Sequence, residues 1–290
     1  QQQYEFDVYP KRDVVLVRGE GAKVWDDAGR EYIDCVAGHG VANLGHCHPK
    51  VVKAVAEQSQ RLLSCSGVFY NDAKARLLER LAGITPANLD RSFLCNSGTE
   101  TIEAAIKFAR FATGKQEFVC AMRGFHGRTM GALSATFTRE YREPFVPVVE
   151  GFQFAPFNNF AKLAEKVNEN TAAVMLEVVQ GEGGVNLGNA EYFSRVSELC
   201  RDKGTLLIID EVQTGFCRTG KMFACEHFGL EPDILCLAKA MAGGLPMGAV
   251  VCSDKIGIPV GRHGSTFGGN PLACAASLAA IDAMIEERLA

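Results

Sequence analysis

Lys239 follows the apolar run Ile234-Leu-Cys-Leu237 and precedes the pair Gly243-Gly244. A short apolar run bounded by turn residues reads as a buried strand, so the lysine sits where a strand ends and the backbone turns. A partly dry place disfavours an ammonium and lowers its pKa. The free amine is then a nucleophile, able to form a Schiff base with an aldehyde. Taken by itself the pattern favours a solvated lysine at a strand end; three other stretches overturn that reading. Asn96-Ser97-Gly98-Thr99-Glu100 leads into the helical run Ile102, Ala105, Ile106, Ala109. Ser97 and Glu100 have capping-box spacing, and a glycine between small hydroxyls leaves N–H groups open at a helix N-terminus, an anion site suited to a phosphate. Asp210 closes Leu206-Leu-Ile-Ile209 and precedes Glu211-Val212-Gln213-Thr214-Gly215. A carboxylate there either caps the next helix or meets a proton donor such as a protonated pyridine nitrogen. Phe125-His126-Gly127-Arg128 reads as a loop in which an aromatic can lie on a flat heterocycle and Arg128 can take a carboxylate in two hydrogen bonds; a core phenylalanine and a surface arginine are the plain alternatives.

The elements that must position these residues follow from the alternation of helix-like and strand-like segments between residues 73 and 253, the signature of a mostly parallel sheet covered by helices. Candidate strands are Ser92–Cys95, Phe118–Met122, Ala173–Glu177, Leu206–Asp210, Ile234–Leu237 and Ala249–Cys252. Ligands of open α/β sheets lie beyond the carboxyl ends of the strands, which places Asn96, Glu177, Asp210 and Lys239 around one crevice. Before this region, turn signals at Gly19-Glu20-Gly21 and Asp26-Asp27-Ala28-Gly29 separate short β-rich runs and predict a small meander. We divide the chain into an N-terminal segment, 1–49, belonging to a small domain, a large cofactor-binding domain, 50–270, and a helix, 271–290, leading towards a further C-terminal domain.

Of the 290 residues, 47% are hydrophobic and 22% charged, enough for a sizeable core, and the net charge of −4 supplies no basic excess for nucleic acid. Eleven cysteines occur without a CxxC pair, which predicts reduced thiols in a cytoplasm. No apolar run is long enough to span a membrane. His46-Cys47-His48 lacks a second cluster at ligand spacing, so no metal is expected.

An aldehyde, a phosphate, a planar ring and a basic ring nitrogen are what the four stretches together call for, and pyridoxal 5'-phosphate has all four. The chain also resembles the class III aminotransferases of fold type I. The matching stretches are Val17-Arg-Gly-Glu-Gly-Ala22, Leu44-Gly-His-Cys-His-Pro49, Asn96-Ser-Gly-Thr-Glu100, Phe125-His-Gly-Arg-Thr129, Gln180-Gly-Glu-Gly-Gly184, Asp210-Glu-Val-Gln-Thr-Gly215, Leu237-Ala-Lys-Ala240 and His263-Gly-Ser-Thr-Phe-Gly-Gly-Asn-Pro-Leu272. The resemblance implies that Lys239 is the Schiff-base lysine, Asp210 the partner of the pyridine nitrogen and Gln213 a neighbour of the phenolic oxygen. It places Ser97, Gly98 and Thr99 at the phosphate, Phe125 on the ring with His126 beside it in the cofactor site, Arg128 on the substrate's α-carboxylate, and Glu177 and Glu182 in the pocket. Thr266 is implied to reach the phosphate of a neighbouring subunit, hence a homodimer.

Within the family the chain is most similar to the acetylornithine branch, which implies transfer of a terminal amine to 2-oxoglutarate, giving glutamate. A second branch acts on lysine or ornithine linked to an amino-group carrier protein, and Tyr141-Arg-Glu-Pro-Phe145 resembles it. Ornithine and 4-aminobutyrate aminotransferases and the glutamate-semialdehyde aminomutase share the scaffold; a cofactor-binding remnant without catalysis is the reading from another class. A nucleotide binder is disfavoured, because neither GxGxxG nor the Walker pattern is present. Three departures stand out: Thr101-Ile102 where Ala-Asn is usual, Cys217 where glycine is usual, and relatives that continue for roughly another hundred residues, the size of a small domain.

Overall fold

A computed structural model describes residues 3–290. The chain opens with a three-stranded antiparallel meander, β1 (Leu16–Glu20), β2 (Lys23–Asp26) and β3 (Glu31–Ile33). The expected turn at Gly19-Glu20-Gly21 is shorter than the sequence implied: Gly19 and Glu20 pair with Val24 and Lys23, so only Gly21 and Ala22 turn. A single distorted turn, α1 (Ala37–Gly40), leads to helices α2 (Pro49–Ser59) and α3 (Asp72–Ile84). Then follow β4 (Arg91–Cys95), α4 (Gly98–Thr113), β5 (Glu117–Ala121), α5 (Met130–Ala135), α6 (Arg139–Arg142), β6 (Phe152–Ala155), α7 (Phe160–Ala164) and β7 (Thr171–Glu177). A small hairpin of β8 (Val179–Gln180) and β9 (Asn186–Leu187) precedes α8 (Ala190–Lys203), β10 (Leu206–Asp210), β11 (Ile234–Leu237), β12 (Gly248–Cys252) and α9 (Pro271–Glu286).

Seven strands form one sheet in the order β4-β12-β11-β10-β7-β5-β6. β12 runs antiparallel to both its neighbours and the other six are parallel to one another. The fold is therefore α/β, a mostly parallel sheet flanked by helices, as the alternating segments require. The edge strand Phe152–Ala155 was not among the expected strands, because its four residues carry no run of β-branched side chains.

Both faces of such a sheet must be apolar, and alternate residues serve alternate faces. Val174, Leu176, Leu207, Ile209, Leu235 and Leu237 share one core with α3, α8 and α9. Ala173, Met175, Ile208, Ile234 and Cys236 share the other with α4. A parallel register sets Asp210 opposite Glu177, and Asp210 opposite Cys236, so the strand ends that carry polar residues lie side by side.

The turn after β10 is held by a buried acid. Glu211 accepts the hydroxyl of Thr214 and the backbone N–H groups of Ala224 and Cys225, at 3.0 and 2.7 Å for the two amides. Burial raises its pKa, and these donors oppose the rise. Glu211→Ala removes the only acceptor these two amides have among the described residues. The loss expected is about 2–5 kcal/mol, the sum for buried donors left unpaired, read as a lowered urea midpoint; Glu211→Gln, which keeps an acceptor oxygen, loses less.

Candidate active site

Lys239 comes one residue after β11, at φ +45°, and starts a tight 3-10 turn, Lys239–Ala242, that ends on Gly243. A non-glycine residue in the left-handed region costs on the order of 1–3 kcal/mol, and such positions cluster at functional sites. The conformation turns the half-buried side chain inward, where Nζ donates to Gln213 Oε1. Burial lowers the amine's pKa; the charges of Asp210, Glu177 and Glu182 oppose that shift, and Arg218 adds to it.

Asp210, at the end of the central strand β10, is 4% exposed. Its Oδ1 accepts from the Val212 amide at 2.9 Å and its Oδ2 meets His126 Nδ1 at 2.7 Å. Burial drags the imidazole's pKa down, but the hydrogen bond and charge of Asp210, with Glu177, carry it above its ordinary value. His126 is itself fixed by Thr136 Oγ1, which accepts its backbone N–H at 2.9 Å, and its Nε2 is buried with no partner. Glu177 accepts the Phe125 amide at 3.1 Å. Burial pushes this carboxyl up to about 7, against the pull of His126 and with the push of Asp210.

Ser97 caps α4, its Oγ accepting from the Glu100 amide. Glu100 reaches back one residue further than a capping box requires: it accepts from the Asn96 amide and from Ser97 Oγ, both at 2.9 Å. The N–H groups of Gly98 and Thr99, in the first turn, have no acceptor among the described residues. Gly98 must be glycine, since a Cβ would stand 2.6 Å from Val212 Cγ1. Thr99 contributes differently from a free hydroxyl. Thr129 Oγ1 donates to Glu103 Oε1 at 2.6 Å, so the 2.7 Å contact between the two threonines has Thr99 as donor. With that proton spent, Thr99 has its amide to offer an anion.

Arg128 is exposed, its guanidinium stacked 3.5 Å from the Tyr141 ring centroid and 5.4 Å from that of Phe125. The hydroxyl of Tyr141 donates to Glu182 Oε1 at 3.1 Å. Gln213 is closed over by the N-terminal segment, for a Cβ on Gly40 would lie 2.3 Å from its amide nitrogen. Thr266 is exposed and touches none of these groups by a hydrogen bond; its neighbour Ser265 accepts from Asn96 Nδ2 at 3.2 Å. The structure thus gathers Lys239, Gln213, Asp210, His126, Glu177 and Phe125, through direct contacts or charge, and sets the Ser97–Thr99 turn against Val212. Thr266 makes no hydrogen bond to them among the described residues, although Ser265 beside it is bonded to Asn96.

Glu103, Thr129 and Tyr141 belong to this neighbourhood; Glu103 was not singled out from the sequence, and Thr129 and Tyr141 stood in quoted stretches without a role. Glu103 accepts from residues 26 to 29 positions away and carries no local signal. Of the departures, Thr101 and Ile102 are fully buried inside α4, where the Thr101 hydroxyl donates to Gly98 O at 2.6 Å. Cys217 takes φ +67°, a conformation that glycine adopts at no cost. Two apolar hollows, of ≈ 460 and ≈ 700 Å³, lie beside this crevice, lined by Asn96 and Leu245 in one and by Val51 and Gly243 in the other. The polar groups converge outside both.

Comparison with known proteins places this geometry. The family model "Aminotransferase class-III" matches residues 7–290. The chain is similar to the [LysW]-aminoadipate semialdehyde transaminase of Deinococcus radiodurans, with 54% identity over 100% of this chain and 68% of that protein. It is 50% identical to the acetylornithine aminotransferase of Methanopyrus kandleri over 99% of this chain and 74% of the relative. Among solved structures, an ornithine aminotransferase of Toxoplasma gondii with partial occupancy of pyridoxal phosphate at its active site superposes with a TM-score of 0.93 at 37% identity, covering 99% of this chain and 70% of that one.

The raised pKa of Glu177 has a consequence for stability. A carboxyl that binds its proton more tightly folded than unfolded favours folding in acid, and the contribution is lost as pH rises through about 7. Glu177→Gln should flatten denaturant midpoints between the ordinary glutamate range and neutrality, and above it should exceed the parent by roughly 1–3 kcal/mol. His126, shifted upward and so contributing with the same sign, remains in the variant and leaves a residual slope.

Proposed function

Because the chain belongs to the class-III aminotransferase family, we propose that it moves the terminal amine of N-acetylornithine to 2-oxoglutarate, giving N-acetylglutamate semialdehyde and glutamate, with pyridoxal 5'-phosphate as cofactor. The observation that carries this reading is the inward-turned Lys239, its ammonium disfavoured by burial, within the charge of a buried Asp210 already bound to His126. The residues fit the cofactor. A carboxylate with one oxygen on His126 suits a protonated ring nitrogen, and the unpaired amides of Gly98 and Thr99 suit a dianionic phosphate. When bound, pyridoxal phosphate supplies an electron sink for the carbon that carries the amine.

Each side chain has its task around that sink. Lys239 would hold the cofactor through its aldehyde, and its amine, whose charged form burial disfavours, is the group that would move a proton at the amine-bearing carbon. Asp210, bonded to the His126 ring, would face the cofactor's ring nitrogen and hold a proton there. Gln213 would hold the phenolic oxygen, Phe125 the ring, and Ser97, Gly98 and Thr99 the phosphate, with His126 orienting Asp210. Arg128 fixes the donor's α-carboxylate, which presents the far amine, while Glu177 and Glu182 line the pocket. The exposed Thr266 serves the phosphate of a second copy in a homodimer.

The 54% identity to a [LysW]-aminoadipate semialdehyde transaminase favours a second reading, in which the donor is lysine or ornithine linked to an amino-group carrier protein. Arg128 at the solvent-exposed side of the site leaves room for either donor. No helix of the described residues is long and apolar enough to cross a membrane, in keeping with a cytoplasmic role in arginine or lysine biosynthesis.

Loaded with cofactor, Lys239→Ala should lose the yellow absorbance of the parent and fall in turnover by at least about a thousandfold, as removal of a nucleophile and proton carrier does. Undiminished turnover in that variant rejects the assignment. Comparing kcat/KM for acetylornithine, free ornithine and a carrier-linked donor separates the two readings.

A further inference from the structure

Arg128 is an exposed guanidinium without an ion pair among the described residues; its contacts are with the rings of Phe125 and Tyr141. Glu143, directly after α6, is occupied by Arg139. The acid with a route to Arg128 is Glu182, because the two touch opposite parts of one side chain: Arg128 lies over the face of the Tyr141 ring at 3.5 Å, and Glu182 Oε1 accepts the Tyr141 hydroxyl at 3.1 Å. We propose that Tyr141 is a positioning residue that keeps Arg128 available to a substrate carboxylate by restraining Glu182 from pairing with it. The proposal rests on the aminotransferase reading for the identity of the substrate, but its contacts do not.

The geometry makes the restraint physical. A guanidinium stacked on an aromatic face keeps its five N–H groups in the plane, pointing away from the ring, where a carboxylate can take two of them at once. A carboxylate that accepts a phenol hydroxyl is held at the ring's rim. The tyrosine therefore separates two opposite charges that would otherwise neutralise each other. The ring is also well seated. Phe125 abuts it edge-on at 6.2 Å between centroids, and the Phe125 amide is fixed by Glu177. On the next residue, Arg142 donates to Phe137 O at 3.1 Å and lies 4.8 Å over Phe154, which anchors the turn that carries Tyr141. Glu182 is moreover one of the acids whose charge Lys239 feels, so where its carboxylate rests matters to the reacting amine as well as to Arg128.

The test uses the cofactor-loaded enzyme. Tyr141→Phe keeps the ring and removes the hydroxyl that holds Glu182. Expected is a rise in KM for both carboxylate-bearing substrates of about tenfold, the worth of one charge-assisted hydrogen bond, with kcat changed by less than about twofold. Calorimetric affinity for glutarate, an unreactive dicarboxylate, falls by the same factor and does not depend on turnover. In the double variant Tyr141→Phe/Glu182→Gln no carboxylate remains to occupy Arg128, and KM and glutarate affinity return to those of Glu182→Gln alone. Unchanged KM and affinity in Tyr141→Phe, or a loss that Glu182→Gln does not reverse, overturns the proposal; a loss of that second kind marks a merely structural tyrosine. Failure of the parent to transaminate any terminal amine rejects the functional reading instead, and the glutarate arm still decides the role of Tyr141.

Discussion

A carboxylate buried at the end of a central strand is the constraint from which the site follows. Asp210 is nearly out of water, and a bare charge there would either take up a proton or cost several kcal/mol. Its two oxygens are met by the Val212 amide and the His126 ring. Meeting them fixes the turn after β10 on one side and the loop after β5 on the other. The first bond aims Val212 at Gly98 and brings Gln213 to Lys239; the second ties His126, and with it Phe125 and Arg128, to the same point. One charge thus organises residues from three separate strand ends.

Much of this was open to inspection in the chain itself, and for definable reasons. Apolar runs closed by a single reactive residue, as at Asp210 and Lys239, are legible because a doubly covered strand must be apolar and its polar terminus must have a purpose. Six of the sheet strands announced themselves as short apolar runs, several of them closed by a residue with chemistry. The Ser97–Glu100 cap was legible because its partners are three residues apart. What stayed hidden depends on partners far along the chain: the orientation of the Thr99 hydroxyl is decided by Thr129 and Glu103, and the place of Tyr141 by Arg128 and Glu182. The edge strand at residues 152–155 lacked a pattern, and the meander's turn was misjudged by two residues because Gly19 sits within a strand.

The departures from family pattern divide on the same physical lines. Thr101 and Ile102 lie inside α4, where a threonine can return its hydroxyl to the carbonyl of Gly98 and an isoleucine simply fills core. Cys217 keeps a backbone that suits glycine, so the shape of the loop is preserved at an energetic cost, not redrawn.

The single antiparallel strand has an effect on how this molecule comes into being. β12 lies between β4 and β11, so the strands that lead to Ser97 and Lys239 are not joined within the sheet until Gly248–Cys252 slots between them. A chain made from its N-terminus must hold the earlier strand unpaired on that side through the synthesis of some of its most apolar segments. Nascent chains that lack Gly248–Cys252 therefore carry an open β-edge but no finished crevice, and the capacity to capture a ligand arrives only once that strand is in place.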